Sequence, residues 1–245
     1  MKTYCDLKYN NTESGFFDLY LPDEDSFDLI IWFHGGGFKD RTRKNIKFQE
    51  DMTKLGVAVA SVEYRKYPDA KFPDYIEDGA EAVKYLMDNI STYGNVKRIF
   101  ISGQSAGAYL TMLLLLDEKY FKAAGVDREK ISGYIADSAQ TTTHFSVLNE
   151  RGIDPRVERI DEAAPIYHLS ENSDFKKLLM LYYTDDLPGR HEQNQLFYQS
   201  YKRLCPEQKL TMKVLEGGHC NGSENRNKNG AYDYVAMFEK VFLNN

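Results

Sequence analysis

The chain has 245 residues, 42% of them hydrophobic and 13% aromatic, with 31 Lys and Arg against 37 Asp and Glu, for a formal net charge of −6. That length and apolar content suit one large α/β domain spanning 1–245, with a sizeable core. The charges are spread rather than clustered, which excludes the basic footprint of a nucleic-acid binder and gives a polyanion nothing to follow.

The N-terminal segment, residues 1–8, lacks the apolar core of a signal peptide. Residues 4–21 then alternate apolar and polar around Leu7, Tyr9, Phe16, Leu19 and Leu21, with Asn10-Asn11 between them. That pattern predicts an antiparallel hairpin at a sheet edge. Residues 29–33 form a nearly continuous apolar run, as in a strand buried on both faces. The run ends in His34-Gly35-Gly36-Gly37-Phe38. A basic loop over 39–47 and a short helix over 48–55 follow.

Residues 57–62 are the next buried strand. Pro73 opens a helix, at a position where its missing N–H costs little. The helix carries Ile76, Ala80, Val83, Leu86 and Ile90 at steps of three and four, which places them on one face. Tyr93-Gly94 ends it. The stretch 96–116 then reads as strand, sharp turn and helix, with Gly103-Gln104-Ser105-Ala106-Gly107 at the turn. Its apolar run at 112–116 falls far short of the roughly 18 residues of a membrane span.

Residues 131–135 are another strand, and 140–169 are irregular and polar, which predicts a small lid over the top of the sheet. Residues 178–183 form a strand that ends at Thr184-Asp185-Asp186-Leu187-Pro188. A helix over 193–204 and a last strand over 210–215 follow, the latter ending at Glu216-Gly217-Gly218-His219. Tyr234, Val235, Phe238, Val241 and Phe242 mark a closing amphipathic helix. Strands alternating with helices predict a mostly parallel, doubly wound sheet with helices on both faces. The expected protein is cytoplasmic, without a membrane span.

Ligands of such sheets bind beyond the carboxyl ends of the strands. Four polar clusters fall there: 34–37, Ser105, Asp185-Asp186 and His219. A serine hydroxyl needs a base to take its proton as it attacks, and imidazole has the matching pKa. His219 is placed to serve, and a carboxylate must then orient it. Asp185 and Asp186 are both candidates. Asp186 is preferred, being deeper in the turn before Pro188, because neighbours in extended chain point to opposite sides. The attack creates an oxyanion that needs fixed donors, for which the N–H of Ala106 and the glycine run through Gly36 and Gly37 are available.

His34 reads as a brace for the glycine loop, and His144, His168 and His191 as surface residues. The three cysteines, Cys5, Cys205 and Cys220, are too few for a disulfide framework and fit no zinc spacing. Neither a metal nor a cofactor is expected, and Cys220 reads as a small buried filler.

Taken in order, these motifs resemble the α/β-hydrolase superfamily. Within it they resemble the carboxylesterase and lipase branch with an HGGG motif, in its hormone-sensitive-lipase-like or feruloyl-esterase-like groups. The resemblance rests on residues 34–38, Tyr64-Arg65, Phe72-Pro73, Ile76-Glu77-Asp78, the Ser105 turn, Ala164-Pro165, Asp186-Leu187-Pro188 and Gly218-His219. It implies Ser105 as nucleophile, Asp186 as acid, His219 as base, and Gly36, Gly37 and Ala106 as the oxyanion hole. Gln104 departs from the Asp or Glu usual in the hormone-sensitive-lipase group, and the long N-terminal cap helices of that group are missing. Both departures point to the compact esterases. The implied activity is hydrolysis of small-molecule short-chain acyl or aryl esters, acetyl- or feruloyl-like, through an acyl-enzyme. An arylformamidase-like amidohydrolase with the same triad is the alternative. A non-catalytic binding protein on this fold is disfavoured because no triad member is missing.

Overall fold

Apolar runs without a polar break build the centre of the sheet. The computed structural model describes residues 1–171, 173, 175–205 and 209–244. Strand β3 (Ser26–Phe33) is buried along nearly its whole length and β4 (Val57–Val62) entirely, as expected of parallel strands covered on both faces. The predicted edge hairpin is β1 (Lys2–Lys8) with β2 (Phe16–Leu21), paired antiparallel. The remaining strands are β5 (Asn95–Gln104), β6 (Ile131–Asp137), β7 (Leu178–Asp185) and β8 (Leu210–Gly218).

The eight strands lie in the order β1-β2-β4-β3-β5-β6-β7-β8. Pairing is antiparallel for β1–β2 and β2–β4 and parallel for every pair from β3–β4 onward. The chain winds outward from β3 to β4, then restarts on the other side of β3 with β5. The ends of β3 and β5 therefore flank the topological switch, where a crevice opens in doubly wound sheets. The glycine run follows β3 and Ser105 follows β5, so topology alone brings them together.

Side-chain alternation divides the core into two layers. Leu29, Ile31 and Phe33 point to one face, with α2 (Asp74–Asn89), α3 (Ala106–Leu116) and Phe197 and Tyr201 of α6 (Arg190–Leu204). Ile30 and Trp32 point to the other, against Phe48 and Met52 beside and within α1 (Gln49–Lys54) and Tyr234 and Phe238 of α8 (Asp233–Phe238). All 11 residues of α3 are buried. A helix apolar on every side is one packed on every side, and α3 lies against β5, β6, α2 and α4 (Glu118–Ala124).

Two local expectations need correction. The stretch 140–169 is not irregular throughout, because it contains α5 (Phe145–Glu150) and a 3-10 turn at Pro165–His168. His144 is not a surface residue; it is fully buried, ringed by Phe38, Tyr109 and Phe145. Its polar flanks, Thr143 and Ser146, bond inward rather than to water. The Thr143 hydroxyl donates to Asp161 and that of Ser146 to the Gly37 carbonyl, so a polar sequence here does not mark an exposed one. His168 is half-buried and His191 exposed.

Candidate active site

The turn after β5 places a serine where few residues sit comfortably. Ser105 has φ 54° and ψ −114°, a left-handed backbone costing on the order of 1–3 kcal/mol. The surrounding structure fixes it: its N–H donates to the Asp137 carbonyl at 2.8 Å and its carbonyl accepts from Tyr109 at 3.0 Å. Glycine is required on both sides. A Cβ at Gly103 would meet the Gly107 carbonyl oxygen at 2.1 Å, and one at Gly107 would meet the Phe33 carbonyl oxygen at 2.1 Å. Ser105 also occupies the N-cap position of α3 without a side-chain capping bond, and the helix dipole favours negative charge at that end.

The three residues singled out at the strand ends meet. Ser105 Oγ lies 2.8 Å from His219 Nε2, and His219 Nδ1 lies 2.5 Å from Asp186 Oδ1. Asp186 is 2% exposed and His219 25%, so the carboxylate is enclosed while the imidazole edge reaches the cleft. Burial works against the Asp186 charge. The His219 hydrogen bond and charge, with donors at Leu187 N and Ser138 Oγ, outweigh it and hold the carboxyl below its ordinary range. Asp185 is exposed, and among the described residues its carboxylate accepts one hydrogen bond, from Thr184 Oγ1 at 3.2 Å.

Gly36 and Gly37 line the same cleft as Ser105 and His219, a space of about 240 Å³. Gly36 has φ +106°, and a Cβ there would strike the Asp40 carbonyl oxygen at 2.1 Å. The N–H groups of Gly36, Gly37 and Ala106 have no acceptor among the described residues, which leaves them as donors to a bound oxygen. His34 braces this turn from beneath. It bonds the Gly35 carbonyl at 2.7 Å and Glu63 at 2.9 Å, and stacks on Tyr64. Larger hollows of about 430 and 360 Å³ lie elsewhere, and neither is lined by a serine or a histidine.

Sequence reasoning missed several residues of this site. Ser138, at φ 58°, donates to Asp186 at 2.9 Å and accepts from Cys220 N at 3.1 Å, tying the acid to the histidine loop. Asp137 is fully buried and accepts from Tyr183 at 2.8 Å and from Ser223. Burial pushes its carboxyl up to about 6 against those two hydrogen bonds. One signal was available, in that a polar pair directly after a buried strand sits at the functional edge of such a sheet. Backbone strain marks the place too. Of the six non-glycine residues with positive φ among those described, Arg41, Ser105 and Cys220 line the cleft, Phe38 follows Gly37, and Ser138 bonds Asp186. Cys220 is buried, and burial raises its thiol pKa well above the ordinary value, so it is no ready thiolate.

The arrangement can deprotonate a hydroxyl and stabilise a negative oxygen beside it. The BD-FAE family model matches residues 17–154, more than half of the chain. The chain is similar to a probable isoprenylcysteine alpha-carbonyl methylesterase of Oryza sativa subsp. japonica, 30% identical over 105 residues that cover 41% of this chain and 25% of that protein. It is similar also to probable carboxylesterase 8 of Arabidopsis thaliana, 32% identical over 91 residues, covering 34% of this chain and 28% of that one. The matches thus span less than a third of these relatives' own length. Among solved structures, esterase B from Lactobacillus rhamnosis superposes with a TM-score of 0.80 at 14% identity, covering 98% of this chain and 84% of that one. Est2 from Thermogutta terrifontis gives 0.74 at 18% identity, covering 99% and 93%. The shared feature at such identities is the fold, and it is that of the α/β-hydrolases. Among the described residues no helix is long and apolar enough to cross a membrane.

Proposed function

The chain belongs to the BD-FAE family, and from that premise we propose that it is a serine carboxylesterase hydrolysing short-chain acyl or aryl esters through an acyl-enzyme. The observation that carries this reading is the continuous relay from Ser105 Oγ through His219 to Asp186, at 2.8 and 2.5 Å, on the wall of a cleft. The names of the two relatives, a methylesterase and a carboxylesterase, support ester rather than amide cleavage. A cleft of about 240 Å³ lies below the roughly 300–1,000 Å³ usual for larger ligands, which favours a small acyl group.

In this reading Ser105 Oγ bonds to the ester carbonyl carbon while His219 Nε2 takes its proton. Asp186 stays ionised, holds the imidazole by Nδ1–H and stabilises the imidazolium. The carbonyl oxygen becomes an oxyanion, met by the N–H groups of Gly36, Gly37 and Ala106. The bond to the alcohol oxygen then breaks, and His219 returns its proton to that oxygen, leaving the acyl group on Ser105. Water repeats the sequence with His219 as base and releases the carboxylic acid. The whole chain, 1–245, acts as one hydrolase domain. Segment 140–169 serves as its small lid, anchored where Ser146 Oγ donates to the Gly37 carbonyl at 2.6 Å.

The test is release of p-nitrophenol from p-nitrophenyl acetate and butyrate, with Ser105→Ala as control. Turnover by the wild type alone is expected. Equal release by both proteins would refute the reading.

A further inference from the structure

Four separate loops supply the candidate site, and nothing in the triad itself ties the glycine turn to the other three. Glu224 closes α7 (Asn221–Glu224), five residues after His219. Its Oε1 accepts from Gln104 Nε2 at 2.6 Å, and Gln104 precedes Ser105. The same oxygen accepts from Arg41 Nη1, and Arg41 stands where the glycine turn ends. Lys47 Nζ is 3.3 Å from the second oxygen. The Arg41 guanidinium also reaches Gln104 Oε1, at 3.4 Å. One carboxylate therefore touches the glycine loop, the nucleophile turn and the histidine loop.

The geometry argues that these contacts are built in. Gln104 is buried, and the Glu224 side chain is only 14% exposed. Arg41 holds a left-handed backbone at φ 65°, and its carbonyl accepts from Lys66 Nζ at 2.8 Å, so the residue is clamped at both ends. The N–H of Asp40, the residue just before Arg41, donates to the Gly36 carbonyl at 2.9 Å, so Arg41 is joined to Gly36 through this turn. Ser223, next to Glu224, also accepts from Gln104 at 3.0 Å and donates to Asp137, whose carbonyl holds the Ser105 N–H.

We propose that Glu224 is a positioning residue that holds Gly36 and Gly37, Ser105 and His219 in one mutual geometry through Arg41 and Gln104. The proposal rests on the esterase reading above. Burial opposes the Glu224 charge, but the hydrogen bonds of Arg41 and Gln104 hold its carboxyl below the ordinary range, so it is ionised at neutral pH. Catalytic donors must be held within tenths of an ångström, and a drift of about 1 Å costs on the order of 100-fold in rate. The Arg41 side chain is 40% exposed, so its ion pair alone would contribute little; the bond from buried Gln104 is what ties Glu224 to the nucleophile turn.

The experiment compares wild type, Glu224→Gln, Gln104→Glu and the double exchange Gln104→Glu with Glu224→Gln. Each is measured for kcat and KM on p-nitrophenyl acetate and for thermal unfolding. Glu224→Gln is expected to lower kcat about ten-fold or more with KM within about two-fold, because the loss falls on the reacting geometry. Gln104→Glu alone sets two carboxylates against each other and lowers kcat at least as far. The double exchange restores one donor facing one carboxylate, beside Arg41, and returns kcat to within about three-fold of wild type. A Glu224→Gln variant within two-fold of wild-type kcat overturns the proposal. A kcat loss that only matches a fall in folded fraction also overturns it, leaving a structural role. A wild type no faster than Ser105→Ala refutes the esterase reading itself, and the proposal with it.

Discussion

Replacing Asp137 by Asn removes a carboxylate that is fully buried beside the candidate triad. Burial raises the carboxyl from 3.8 to about 6, against the hydrogen bonds from Ser223 and Tyr183 and the His219 charge, with the Asp186 charge adding to the rise. A folded pKa above the unfolded one means that the native state holds the proton more tightly. The stability this provides is full below pH 3.8 and is lost as the pH rises through about 6. The gap between the two values corresponds to about 3 kcal/mol, or about 6–12 °C in Tm for a chain of this size. The assay is urea unfolding of wild type and Asp137→Asn at intervals from pH 3.5 to 8. Groups remote from Asp137 cancel in the difference. Relative to the variant, the wild type is expected to lose about 3 kcal/mol across pH 4–6, the slope set by proton release. A difference that stays flat across that range would refute the assignment of a buried, proton-holding Asp137.

Two further outcomes follow from the same geometry. Asp186→Asn leaves the His219 contact but favours the wrong tautomer and lowers kcat by about 10⁴-fold, whereas the exposed Asp185→Asn stays within about two-fold; steady-state kinetics giving the reverse order would exchange their roles. Glu63 is lowered to about 2 because its bonds to His34 and Lys66 outweigh the cost of burial, so its contribution is full above pH 4.5 and is lost as pH falls through 2. Glu63→Gln should cost up to about 3 kcal/mol at pH 7, read by denaturant unfolding, and equal losses at pH 7 and pH 2 would argue against it.

The sheet and the turn around Ser105 were legible because their signals are local. Apolar runs such as 29–33 and 57–62 could only be strands buried on both faces. Gly103 and Gly107 bracket a turn whose clashes lie within a few residues. Helix α4 was not legible, being short, and the burial of His144 was hidden by the polar residues around it. Those neighbours satisfy their hydrogen bonds inward, a fact no linear pattern carries.

By itself the sequence determined the doubly wound class and named Ser105, Asp186, His219, Gly36, Gly37 and Ala106 as residues to examine, because strand ends and glycine spacing are short-range properties. Only the tertiary structure decided which atoms meet. The 2.8 and 2.5 Å contacts join residues 114 and 33 positions apart, and the Arg41–Glu224 pair spans 183. Such distances follow from strand order, because parallel pairing from β3 to β8 brings the carboxyl ends of β3, β5, β7 and β8 to one edge of the sheet.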